Sequence, residues 1–429
     1  MEGQRSRIPC LALVCGLLAT GGLAAGDWTG FRGPGGSGAS DAKGLPSTWS
    51  ETEGVAWKTA LPGAGSSSPV VAGDRIFVSC YSGYGLDARN PGEIDALRRH
   101  VVCVDAKNGA VLWDRSIESK SGEVAYRGIG VPNHGYASST PVTDGERVFA
   151  FFGRSGVVAY DFEGKELWRA AVSDDPSTHM FGTASSPVLW KDLVIVPASV
   201  ECEAVVAFDK KSGKESWRAP AAGYGAWWST PVLAGSGDDE VLVVNVPDEV
   251  WGLNPGTGKL RWYATSFPSR GVSPSAVVDG GVVYAIAGRE GGSVAVRLGG
   301  SKDVTSSHVL WKGREGSYVT SPVAHDGHLY WVDDRGVANC IQLASGETVY
   351  RERVDGAGSI YASPLVAGGK LYVVSRRNGT FVLDAKPEFR QLAHNRLESD
   401  KSDFNASPSV HGGRLMLRSD RFLYAIGKQ

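Results

Sequence analysis

A Ser/Thr/Ala-Ser-Pro-like tripeptide recurs eight times along this chain, and no other feature limits its possible folds as much. The prolines are Pro69, Pro141, Pro187, Pro231, Pro274, Pro322, Pro364 and Pro408. They lie 42–48 residues apart except across the first interval, which carries an insertion. A period of that size marks propeller blades. Each opener leads into an apolar strand, a glycine turn and a second strand, as in VVAGDRIFV and LVAGGKLYVV.

The unit is clearest over Val205–Val232. A strand from Val205 to Asp209 turns through Ser212-Gly213 into a strand ending at Trp217; a loop follows, then the opener Ser229-Thr230-Pro231. Glycine at the turn supplies φ > 0 without a Cβ clash. One such hairpin is marginal in water, so repetition has to supply the stability. The closing tryptophan recurs as Trp57, Trp113, Trp168, Trp217, Trp262 and Trp311, with Tyr350 in its place in the sixth unit. Each is read as an apolar plug docking one blade against the next.

Four strands per unit predict an all-β chain with a single eight-bladed β-propeller over residues 54–429. The last unit ends RFLYAIGKQ and lacks an outer strand. Gly54–Leu61, with Trp57 in the docking position, is expected to complete it and close the ring. Residues 27–53 form a glycine-rich arm, expected to wrap the domain surface because Trp28, Phe31 and Trp49 need burial.

Arg5 and Arg7 precede an apolar run, Ile8–Ala19, and small residues continue to Gly26. Residues 1–26 therefore read as a secretory signal peptide, too short and too glycine-broken to span a membrane. The residues before Cys10 and Cys15 lack the small side chain of a lipidation site. Export is expected, to the periplasm or the extracellular space, with no transmembrane segment in the mature chain. Of the remaining cysteines, Cys80 and Cys103 lie in neighbouring strands; two buried thiols are favoured over a disulfide. A net charge of −2 gives nucleic acid no electrostatic reason to bind.

The hairpin Ala207-Phe208-Asp209 through Lys214 and Trp217 resembles the tryptophan docking repeat of pyrroloquinoline-quinone (PQQ) propellers. The likeness runs through essentially the whole mature chain. Asp27-Trp28, Phe31-Arg32-Gly33-Pro34, Leu45-Pro46 and Trp57-Lys58 also resemble secreted bacterial PQQ-like propellers. The propeller of the outer-membrane β-barrel assembly machine is similar by repeat, but its lipobox is missing here. Quinone-using relatives carry adjacent cysteines and a calcium site. This chain has no Cys-Cys pair, haem motif, zinc-helix motif or nucleophile elbow. No cofactor and no metal are expected, with PQQ and calcium as the alternative.

Strands alternate in direction, so the segments leading into each innermost strand share a face with the turns between second and third strands. The lead-in segments carry His134, Tyr136, His179, Trp227, Trp228, Arg270, Tyr318 and Tyr361, and the turns add Arg154, Glu201, Asp248, Arg289, Asp333, Arg335 and Arg376. The expected ligand or partner surface is His134, Tyr136, His179, Trp227, Trp228, Arg270, Tyr318, Arg335, Tyr361 and Arg376. The opposite face has short generic turns. Such a mouth suits a protein, a peptide or a glycan. Asp248 and Asp333 with His134 and His179 would supply acid–base chemistry if they met. A monomeric, non-catalytic exported binding scaffold is therefore favoured. The alternatives are a PQQ-dependent alcohol or sugar dehydrogenase and a polysaccharide lyase or hydrolase.

Overall fold

The computed structural model describes residues 26–174, 179–288 and 291–428. The leader and Arg289 lie outside the described residues. Eight antiparallel sheets follow one another along the chain. Blade one comprises Val70–Ala72, Arg75–Ser82, Arg98–Asp105 and Val111–Glu118, from the hub outward. The innermost strands of blades two to eight are Val142–Thr143, Val188–Trp190, Val232–Ala234, Val277–Asp279, Val323–His325, Leu365–Ala367 and Ser409–His411.

Burial follows position in the blade. A middle strand such as Val241–Val246 is buried throughout, because other blades cover both of its faces. The outer strand Glu215–Pro220 alternates, turning Trp217 and Ala219 inward and its polar residues outward.

Blade eight closes the ring as its missing strand requires. Val55–Ala60 pairs antiparallel with Phe422–Ile426, from Val55 opposite Ile426 to Ala60 opposite Phe422. The edge that a C-terminal three-stranded blade would expose is thereby paired.

Lateral contact between blades has two layers. At the rim, each docking tryptophan lies over the hairpin glycine of the next blade and donates its indole N–H to a carbonyl in that turn. Trp57 bonds Ala106 O (3.2 Å), Trp113 bonds Phe162 O (2.8 Å) and Trp168 bonds Lys210 O (2.9 Å). Trp217 bonds Pro255 O (3.1 Å) and Trp311 bonds Leu343 O (2.8 Å). A Cβ on Gly213 would stand 2.5 Å from the Trp168 ring, so the turn glycine is required by packing as well as by its φ of 68°. Trp262 departs from the expected docking. It folds over Gly252 of its own blade, and Lys302–Asp303 from the long turn of blade five pairs in parallel beside it. That longer turn takes the place of the hairpin on which Trp262 would dock.

At the hub, a chain of backbone-to-hydroxyl hydrogen bonds runs from blade to blade. Ser68 N–H donates to Thr140 Oγ1 (2.9 Å), Thr140 to Ser186 Oγ (2.9 Å) and Ser186 to Thr230 Oγ1 (3.1 Å). Thr230 then donates to Ser275 Oγ (2.8 Å), Ser275 to Ser321 (2.9 Å), Ser321 to Ser363 (3.0 Å) and Ser363 to Ser407 (2.9 Å). Between blades eight and one, Arg418 makes the link instead. Its Nη1 donates to Ser67 O (2.8 Å) and to the Ser67 hydroxyl.

The arm does not wrap the outside. It crosses the hub, because the central channel is where its aromatic and backbone groups find partners. Trp28 bridges Val71 of blade one, and Thr29 O accepts Thr143 N–H of blade two (2.9 Å). Gly36 sits on Val232 of blade four, Arg32 donates to Pro322 O of blade six, and Ala39–Ser40 pairs with Val366–Ala367 of blade seven. Trp49 then anchors on blade seven through Asn395. Cys80 and Cys103 are free and buried; in the ladder they face His100 and Phe77, not each other. Burial pushes their thiols up to about 11 and about 12.

Two outcomes are expected. Deleting residues up to Leu61 strips the plug and the outer strand of blade eight, and should lower Tm on the order of 10 °C or more. An unchanged melting curve would show that the ring is held elsewhere. Thr140→Val keeps the side-chain shape but leaves the Ser68 N–H unpaired, which should cost about 1–3 kcal/mol in urea denaturation.

Candidate functional site

All eight segments that lead into the innermost strands meet around one central cavity of about 220 Å³. Blade two contributes Asn133, His134 and Ser138; blade three Phe181; blade four Trp228 and Thr230. Blade six supplies Tyr318 and Ser321, blade seven Tyr361 and Ser363, and blade eight Asn405 and Ser407. Phe31 of the arm lines this cavity and also a second one, of about 460 Å³, among the arm glycines and blades two to four. Phe31 is thus the septum between them.

The walls are braced from behind. Trp228 donates its indole N–H to Gly182 O (2.8 Å) and meets Phe181 edge-on at 5.7 Å. His179 packs against both rings, at 5.8 Å from Phe181 and 5.1 Å from Trp228. The Arg376 guanidinium lies 4.3 Å over the Tyr361 ring, pairs with Asp403 (2.6 Å) and donates to Asn133 O (2.9 Å). It therefore ties blade seven to the lead-in of blade two. His134 Nδ1 lies 2.6 Å from Ser138 Oγ. Burial, with Arg376 as a smaller cause, holds its imidazole down at about 4, so the ring is neutral near pH 7.

Tyr318 and Tyr361 are shared with a neighbouring polar cavity of about 480 Å³, which contains Arg314, Arg335, Arg351, Glu315, Asp333 and Asp334. Arg335 is there, paired with Asp333 at 2.9 Å.

The expected surface is therefore gathered only in part. His134, Trp228, Tyr318 and Tyr361 line the central cavity, with His179 and Arg376 behind its wall. Tyr136 is off the mouth. It is buried with Tyr81, Tyr84 and Tyr126 under the blade-one insertion, its hydroxyl donating to Val124 O (2.6 Å). Trp227 is also off the mouth: alternation along Ala226–Trp227, which pairs with Gly271–Val272, sends it into the core against Trp251. Arg270 is exposed beside that pairing, outside the cavity.

The carboxylates do not meet the histidines. Asp248 reaches across to accept Ser269 N–H (2.8 Å) of the blade-five lead-in, and Asp333 caps its own turn by accepting the N–H groups of Arg335 and Val337 (2.9 and 3.0 Å). Among the described residues, no group of three or more His, Cys, Asp or Glu side chains converges as a metal site. Sequence reasoning missed Phe31 as floor and the hub hydroxyls as lining. The hydroxyls' signal was present in the constant hydroxyl beside each opener proline.

Glu201, in the short helix Ser199–Cys202 beside His179, is buried and accepts the Thr183 hydroxyl. Burial pushes its carboxyl up to about 7. A raised folded value means the native state binds the extra proton. The side chain's contribution is therefore fully present below pH 4.5 and is lost as pH rises to about 7. Glu201→Gln keeps the acceptor oxygen without the charge. It should raise stability at pH 8 on the order of 2 kcal/mol and change little at pH 4. Equal effects at both pH values would refute the buried-charge account.

Residues 98–352 match the family described as outer membrane protein assembly factor BamB. The chain is 25% identical over 400 residues to the outer membrane protein assembly factor BamB of Burkholderia pseudomallei (strain K96243), covering 88% of this chain and 90% of that one. The crystal structure of BamB from Moraxella catarrhalis superposes with a TM-score of 0.59 at 13% identity, over 87% of this chain and 99% of that one. A europium-containing methanol dehydrogenase superposes at 0.66 with 12% identity, over 94% and 98%; at such identities the likeness concerns the fold. The family match spans more than half of the chain, and this eight-bladed PQQ-like propeller belongs to the BamB family of outer membrane protein assembly factors.

Proposed function

We propose that this protein is an exported, non-catalytic scaffold that binds protein segments at the central mouth and serves outer-membrane protein assembly. The observation that carries the reading is the convergence of all eight lead-in segments on one aromatic-walled cavity. Rigid aromatic rings offer contact area at small entropy cost, and blade-to-blade bonding holds them in place. The relatives named as assembly factors supply the process. Export accords with the charged and apolar leader and with that process. No helix among the described residues is long and apolar enough to cross a membrane.

The dehydrogenase alternative would need a quinone with a cation beside it. The residues present do not suit that group, because among the described residues no Asp or Glu lines the mouth cavity to hold a cation. Acid–base chemistry is equally unsupported, because Asp248 and Asp333 are engaged by backbone N–H groups away from the histidines.

The test is photocrosslinking in the envelope of the native cell from a benzophenone side chain at Tyr361 or Trp228. Crosslinks to an outer-membrane assembly component are expected there, and none from the opposite-face positions Lys211 and Lys259. Trp228→Ala with Tyr361→Ala should weaken capture at least about tenfold while Tm is retained. Crosslinking from the turn face alone would overturn the choice of face.

A further inference from the structure

The hub hydroxyls have a chemical bias that their blade-joining role creates. Seven of them accept a backbone N–H from the preceding blade, and none is a donor in any hydrogen bond among the described residues. A hydroxyl whose oxygen is already engaged by an N–H keeps its own O–H to give. The eighth, Ser68 Oγ, is buried and has no hydrogen-bond partner among the described residues. Ser68, Thr230, Ser321, Ser363 and Ser407 line the mouth cavity, so its base presents hydroxyl donors from several directions.

Two charge observations point the same way. Among the described residues, no carboxylate lines the cavity. On the far side of the Phe31 floor, Arg32 lines the second cavity, buried and with no ion-pair partner among the described residues; its Nη2 donates to the carbonyls of Ser37 and Pro322. Desolvation without a counter-ion lowers its guanidinium to about 9. A buried cation of this kind favours negative charge nearby. Above the hydroxyls the walls are Phe181, Trp228, Tyr318 and Tyr361.

We infer that the mouth is an acceptor site for an amphipathic anion: an aromatic or apolar group bearing a carboxylate or sulfonate, with the acidic end on the hub hydroxyls. This rests on the mouth being the binding surface and adds the chemistry of what it holds. The group has two sources, a free small acid or an acidic side chain of a bound protein segment.

The test uses the whole mature protein and two fluorescent probes, 1-anilinonaphthalene-8-sulfonate and its uncharged analogue N-phenyl-1-naphthylamine. The sulfonate is expected to bind at one site, about tenfold or more tighter than the neutral probe. Ser68→Ala removes a hydroxyl that bonds nothing in the fold, so Tm should be unchanged while the preference falls about threefold or more. Thr230→Val should reduce the preference further. Should that variant fail to fold, Ser68→Ala alone decides. Equal affinity for the two probes, or a preference untouched by Ser68→Ala at full stability, would overturn the inference. Indole-3-propionate against its methyl ester, and an acetylated Trp-Glu-Trp amide against the Gln peptide, identify the source. Displacement by the charged member of either pair supports the site, and displacement by neither overturns it. Failure here leaves envelope crosslinking from the mouth intact, so the two readings fail separately.

Discussion

Blade-to-blade hydrogen bonding at the hub is the constraint from which the rest of this propeller follows. Innermost strands come closest to one another there, and apart from Ala226–Trp227 with Gly271–Val272 their lead-in backbones have no sheet partner among the described residues. A backbone N–H in that position must be paired or lose on the order of 1–3 kcal/mol. A hydroxyl one blade away answers seven of them, with donor–acceptor distances of 2.8–3.1 Å. Proline follows the hydroxyl residue in seven of the eight openers, where it starts the strand without adding an N–H to satisfy. In blade five the order is Ser273-Pro274-Ser275, and Ser275 is the residue that joins the ring. The unit repeats because this bond repeats.

Closure is the one place where repetition fails, since the first and last blades meet without continuous chain. The structure supplies two substitutes at different radii. On the outside, Val55–Ala60 completes the sheet of blade eight, and Trp57 docks on blade one. On the inside, Arg418 reaches from blade eight to Ser67, while Asp420 accepts Gly65 N–H (3.3 Å). The arm adds a third tie by touching blades one, two, four, six and seven within the hub. Three of its glycines are demanded by space: a Cβ at Gly33 would lie 2.6 Å from the Trp28 ring, one at Gly36 2.8 Å from Val232, and one at Gly38 2.7 Å from Arg32 Nη2. The low-complexity look of residues 27–53 is the signature of a chain threaded through a crowded channel.

What could be read from the sequence was what repeats along it. The period gave the blade number, and the orphan strand at Val55–Ala60 gave the closure. Lateral neighbours were harder, because periodicity says nothing about which residue faces which. Trp262 shares the docking pattern, yet the longer turn of blade five removes its partner. Trp227 and Trp228 are adjacent in sequence, and two-residue alternation sends one into the core and the other to the mouth. Tyr136 follows the mouth-lining His134 by two residues but is drawn into the insertion's aromatic cluster. Phe31 belongs to the site by threading alone, which no local pattern records.

The mouth takes its chemistry from what the scaffold leaves over. Asp333 caps its own turn and Asp248 holds Ser269 N–H of the blade-five lead-in, so both carboxylates face backbone N–H groups. Arg376 is committed to Asp403 and to the Tyr361 ring, and burial keeps His134 uncharged at neutral pH. With charges withdrawn into the walls, the surface left to a ligand is aromatic above and hydroxyl-lined below. Recognition there depends on shape and on hydrogen-bond direction more than on ion pairing. Because the hydroxyls are oriented by the bonds that hold the blades together, the donor pattern at the base of the mouth is as rigid as the ring itself.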